Sequence, residues 1–98
     1  SGQLGAEPGA TSVVEGGVQA ETRQTMENIK AVLEENGSSM NQVVKCMVFM
    51  ADMSQWSAMN EVYVTFFPEH FPARSAFGAT ALAYDAELEI ECMATVNN

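Results

Sequence analysis

The hydrophobic positions of this chain follow two rhythms, one of helical and one of extended period. From Val18 to Asn36 the stripe Val18, Thr22, Met26, Ile29 and Leu33 recurs at steps of four, four, three and four. That spacing predicts an amphipathic helix. Glu21, Arg23, Glu27, Lys30, Glu34 and Glu35 fall mostly off the stripe and are expected to face solvent. Gly37 follows Asn36 as a residue able to close the helix in the left-handed conformation. Val43 to Ala51 is β-branched and apolar and too short for most helices, so it predicts a largely buried strand. Asp52, with Gln55 three residues later, resembles a capping box. A second helix then carries Trp56, Met59, Tyr63 and Phe66 at steps of three, four and three, and Pro68 stops it. This aromatic and Met stripe reads as core packing.

Two more strands are expected, at about Ala73 to Leu82 and Glu87 to Val96, joined by a turn at Ala83 to Ala86. In the last, Leu88, Ile90, Cys92, Ala94 and Val96 form one face, and Glu87, Glu89, Glu91, Met93 and Thr95 the other. Residues 5–17 hold Gly5, Pro8, Gly9, Gly16 and Gly17 and read as loop. Ser1 to Gly5 reads as a short strand running into a turn. The chain opens at Ser1 without methionine, which predicts a preceding segment. The order is strand, helix, strand, helix, strand, strand. Two helices cover one face of such a sheet, so the other, half-apolar face predicts self-association.

Composition narrows the function classes. The 98 residues suffice for one domain with one core, residues 1–98. A 47% hydrophobic content argues for a packed protein rather than a disordered one. No stretch approaches the roughly 20 apolar residues of a membrane span, and no signal-peptide pattern opens the chain. The net charge of −9 argues against nucleic-acid partners, because Lys30, Lys45, Arg23 and Arg74 are scattered. Cys46 and Cys92 lie in apolar runs and are expected as buried free thiols, with a disulfide available if their strands are neighbours. One histidine, His70, and no CxxC spacing predict no metal site. No cofactor is expected, and the location is expected to be cytoplasmic, or mitochondrial in a eukaryote.

The candidate chemistry begins at Arg74, one of two arginines beside thirteen acids. It follows a proline in Phe71-Pro72-Ala73-Arg74-Ser75-Ala76. Glu87, Glu89 and Glu91 alternate with Leu88 and Ile90 on what reads as the next strand. A guanidinium and a carboxylate on adjacent strands are expected to face one pocket. Periodicity does not choose among the three glutamates.

Three segments together resemble one family. Ser1-Gly2-Gln3-Leu4-Gly5, the helix from Thr22-Arg23-Gln24 through Met26 to Leu33, and Pro72-Ala73-Arg74-Ser75 with Glu87-Leu88-Glu89-Ile90-Glu91 are similar to the RidA/YjgF reactive intermediate deaminases. Older members of that family were labelled L-PSP endoribonucleases or translation inhibitors. The resemblance covers essentially the whole chain. It implies an α/β (α+β), chorismate mutase-like fold, a mixed sheet with two helices on one face. It also implies a homotrimer with three clefts between subunits.

By motif position the resemblance makes Arg74 the carboxylate-binding arginine and Glu89 the catalytic glutamate. Ser1, Gly2, Asn60 and Ala76 line the cleft, with Ala76 standing where many members have cysteine. The implied activity is hydrolysis of 2-aminoacrylate and 2-iminopropanoate-type intermediates to 2-oxo acids and ammonia. The alternatives are a non-catalytic trimeric binder of small carboxylates and an endoribonuclease. The family's opening strands, with a Gly-Pro-Tyr-Ser-Gln-like motif, have no counterpart in these residues.

Overall fold

The computed structural model describes residues 2–97. Helix α1 spans Gly17–Glu35 and ends in a Schellman closure. Gly37, at φ 78°, lets the Ser38 amide reach the Leu33 carbonyl at 2.8 Å, while its own amide points back to Glu34. The predicted stripe is the inner one: Val18, Thr22, Met26 and Ile29 are buried, and Leu33 packs against the core.

Glu21 departs from the expected solvent face. It is 4% exposed, and its Oε1 accepts the Glu87 backbone N–H at 2.8 Å. Burial pushes its carboxyl above the ordinary value, the Glu87 amide partly offsets that, and the Glu87 charge adds to the rise. A folded-state value above the unfolded one favours the protonated fold. The associated stability is therefore present below the ordinary value of 4.5 and is lost as pH rises through the folded value. Glu21→Gln keeps the acceptor oxygen and removes the titration. Its stability relative to wild type should rise as pH increases above 4.5 in urea unfolding, and a flat difference would rule the titration out.

Strand β1 spans Val43–Met50, helix α2 Trp56–Tyr63, strand β2 Ala73–Gly78 and strand β3 Leu88–Ala94. Asp52 does cap, but it opens a single 3₁₀ turn, Met53–Gln55, accepting the Ser54 N–H at 2.9 Å; α2 starts only after that turn. Another 3₁₀ turn, Val64–Phe66, leads to Pro68. β2 stops at Gly78, short of the expected Leu82, because its partner β1 ends where Met50 pairs with Gly78. The next turn holds Tyr84 and Asp85 at φ 58° and 51°, an uncommon backbone for non-glycine residues.

The sheet order is β2-β1-β3, with β1 parallel to β2 and antiparallel to β3. The connection β1-α2-β2 is a crossover unit, which forces the parallel pairing. The expected opening strand is reduced to one antiparallel bridge, Gln3 to Ile90. Both helices contribute to the core on one side, where Cys46, Val48, Met50, Leu88 and Ile90 meet Met26, Ile29, Met59 and Tyr63. The other face carries Lys45, Met47, Phe49, Ser75, Phe77, Glu89, Glu91 and Met93. There Phe49 and Phe77 stack at 5.6 Å, and Phe77 and Met93 remain about half exposed. No helix among the described residues is long and apolar enough to cross a membrane.

The expectation of two buried free thiols is corrected. Cys46 and Cys92 are direct cross-strand partners and form a disulfide. Strand adjacency, which the sequence leaves open, decides the pairing. Closing a 46-residue separation stabilises by about 4 kcal/mol on chain-entropy grounds, and measured values run nearer ~2–4. Thiol titration of the denatured, unreduced protein should therefore find no free thiol. Adding reductant should lower the unfolding midpoint by several degrees. Two titratable thiols before reduction would exclude the bond.

Candidate functional site

Arg74 sits on the edge strand β2 and points to the helix side, in the row of Cys46. Three residues of α2 receive it. Its Nη1 donates to Asn60 Oδ1 at 2.6 Å. Its guanidinium carbon lies 4.6 Å from the Trp56 ring centre and 4.8 Å from that of Tyr63. Positions 56, 60 and 63 share one helix face at steps of four and three, so α2 presents ring, amide and ring in a line. Asn60, expected at the cleft, is thus joined to Arg74.

Tyr63 is 2% exposed, and its buried hydroxyl has no hydrogen-bond partner. Burial pushes that hydroxyl above the ordinary tyrosine value, and Arg74 partly offsets the rise. The phenol therefore stays protonated at neutral pH. A hollow of about 350 Å³ opens beside the guanidinium, lined by Asn60, Tyr63, Val64, Phe71, Pro72 and Arg74. Ala76 lies two residues further along β2, on the same face as Arg74.

Glu89 lies elsewhere. It pairs with Phe49 on β3 and occupies the opposite, open face of the sheet. Gly2 is pressed against it: a Cβ there would overlap the Glu89 carboxylate oxygen. Any larger residue at position 2 would require the Glu89 side chain to shift. Gly2 also lines a second hollow, of about 430 Å³, with Gln3, Asn28 and Tyr84. The amide of Asn28 holds this segment by donating to the carbonyls of Leu4 and Ala6 at 3.0 and 2.8 Å. Ser1, expected beside Gly2, lies outside the described residues.

The candidate residues thus form two groups, Arg74 with Asn60 and Ala76, and Glu89 with Gly2. The expectation that Arg74 and Glu89 stand on adjacent strands is corrected. β1 lies between their strands, and their registers differ by three residues of β1. That separates them by roughly 10 Å across the sheet and about 10 Å along it, on opposite faces. Sequence reasoning also misses Trp56 and Tyr63 as partners of Arg74, because it gives their stripe to core packing alone. The available signal is that Asn60 shares their face. Among the described residues, no group of three His, Cys, Asp or Glu side chains gathers to hold a metal ion.

Comparisons with known proteins place the chain in a family. The profile of the family described as Endoribonuclease L-PSP matches residues 1–96. A RutC family protein of Pyrococcus horikoshii is 43% identical over 94 residues, covering 96% of this chain and 75% of the relative. A 2-iminobutanoate/2-iminopropanoate deaminase of Capra hircus is 42% identical, covering 96% of this chain and 69% of the relative. Among solved structures, RidA of an Antarctic Psychrobacter superposes with a TM-score of 0.91 at 41% identity, over 98% of this chain and 77% of that one. Escherichia coli TdcF with bound serine gives 0.90 at 35% identity, over 99% and 78%. With its mixed sheet, its two helices on one face and these likenesses along its whole length, the chain belongs to the RidA/YjgF family, the Endoribonuclease L-PSP family of the matched profile.

Proposed function

We propose that this protein hydrolyses 2-imino acids of the 2-iminopropanoate and 2-iminobutanoate type, and their enamine tautomers, to 2-oxo acids and ammonia. It does so as a homotrimer, in clefts between copies. One observation carries the reading: the lone cation of β2 is held by an amide oxygen and two rings rather than by a carboxylate. Its remaining donors are available to grip a ligand carboxylate bidentately. Relatives named for this reaction share 37–42% identity with the chain, and the serine bound to TdcF is a small α-amino carboxylate. The half-exposed Phe77 and Met93 of the open face support its burial against further copies.

Glu89 supplies the proton transfers. Water loses a proton to the carboxylate as its oxygen adds to the imine carbon, and the C=N electron pair moves to nitrogen. That proton then passes to nitrogen, giving a carbinolamine; Glu89 next takes the hydroxyl proton and delivers it to the same nitrogen, so that the carbonyl forms as the C–N bond breaks and ammonia leaves. The substrate is already electrophilic, so holding water and imine together accounts for much of the acceleration. Arg74 and Glu89 lie on opposite faces of one sheet, so a cleft using both takes them from two copies.

Subunit mixing tests this directly. Arg74→Ala and Glu89→Gln, each strongly impaired alone, should regain activity when unfolded together and co-refolded, because some clefts then pair a native arginine with a native glutamate. Mixed trimers that stay inactive would overturn the shared site. A second reading, RNA cleavage, is favoured by the matched family's description and opposed by the net charge of −9. Saturable, strongly salt-dependent RNA binding would revive it.

A further inference from the structure

We infer that Trp56 and Tyr63 are positioning residues that clasp the Arg74 guanidinium and aim its free donors, so that α2 sets the affinity for the ligand carboxylate. The inference rests on the proposed carboxylate site and extends it to the aromatic stripe. Trp56 and Tyr63 stand seven residues apart on α2, about 10.5 Å along the helix axis. The guanidinium carbon lies 4.6 and 4.8 Å from the two ring centres, so both rings contact it at once. Asn60, midway along the same face, takes Nη1.

An arginine on an exposed edge strand ordinarily samples many rotamers, and ordering it on binding costs affinity. Here two ring contacts and one hydrogen bond restrict it before a ligand arrives. The rings remove no donor from it, because a π face accepts the cation electrostatically rather than through a lone pair. The donors not used by Asn60 are left in one plane, which suits a planar carboxylate engaged edge-on. A carboxylate partner in place of the rings would have occupied the fork. The rings themselves are anchored: Tyr63 is buried against Phe67 at 5.1 Å, and Trp56 packs on the core.

Trp56 is the single tryptophan of the chain, so its emission reports on the clasp alone. Titration of the intact protein with 2-oxobutanoate should change that emission saturably, with the dissociation constant given by calorimetry, and the change should vanish in Arg74→Ala. Trp56→Leu keeps an apolar side chain without a π face, and Trp56→Phe keeps the face. The leucine variant should bind 2-oxobutanoate about 3- to 30-fold more weakly, raising KM with little change in kcat. The phenylalanine variant should recover most of the affinity. Equal affinity in the leucine and phenylalanine variants, at unchanged oligomer size, would overturn the clasp. If Arg74→Ala itself leaves binding unchanged, it is the carboxylate site that fails.

Discussion

Replacing Glu89 with Gln is expected to slow imine hydrolysis by roughly 10²–10⁴-fold, the usual contribution of a positioned acid–base group, with the affinity for a 2-oxo acid close to wild type. The amide is isosteric, so the fit against Gly2, where a Cβ would overlap the carboxylate oxygen, is kept. The variant loses the capacity to accept the proton of the attacking water. A fall in kcat without a rise in KM marks an interaction made in the transition state. Equal losses in Glu87→Gln and Glu91→Gln would instead mean that the acidic strand acts through its overall charge. Glu87 precedes β3, its backbone amide bound to Glu21, and Glu91 pairs with Met47 two residues further along β3. Both variants should therefore retain most of the rate. Single-turnover measurement on all three variants at matched oligomer size decides between the two.

Arg74→Ala is expected to lower kcat/KM by about 10²–10³-fold, because two charge-assisted hydrogen bonds to the ligand carboxylate disappear together. Most of the loss should appear as weakened binding. Arg74→Lys should recover only part of it, since an ammonium keeps the charge without the planar fork and fits the Trp56 and Tyr63 rings less well. The fold should tolerate the change: Arg74 is exposed on an edge strand, and the bond it leaves is to the partly exposed Asn60 amide. Full activity in folded Arg74→Ala would remove the carboxylate-binding role and the proposed mechanism with it. A thermal melt of each variant beside the kinetic measurement separates loss of function from loss of fold.

Local physics makes much of the fold legible. The 3.6-residue stripe of α1, its glycine closure and the Pro68 stop are written within a few residues of where they act. The β-branched run of β1 needs no long-range information either. The departures have non-local causes. The expected β2 is too long because its end depends on where β1 stops offering partners. Glu21 reads as a surface residue because nothing in its neighbourhood reveals the Glu87 amide, 66 residues away, that accompanies its burial.

The candidate site divides along the same line. Residue types and motif positions nominate Arg74, Glu89, Gly2 and Asn60 as candidates, because each lies in a short segment that resembles the family's own. The apolar alternation of β1 and β3 likewise implies, from local pattern alone, a sheet face that two helices leave uncovered. Which residues meet is beyond the sequence, since strand order is a property of the whole chain. A crossover through α2 sets β2 beside β1 and an antiparallel return sets β3 on its other side. That single arrangement joins Cys46 to Cys92, brings Arg74 under Trp56 and Tyr63, and sends Glu89 to the opposite face. The alternation of side chains along a strand is local and readable, whereas the neighbour across the sheet is chosen by the burial of the assembled core.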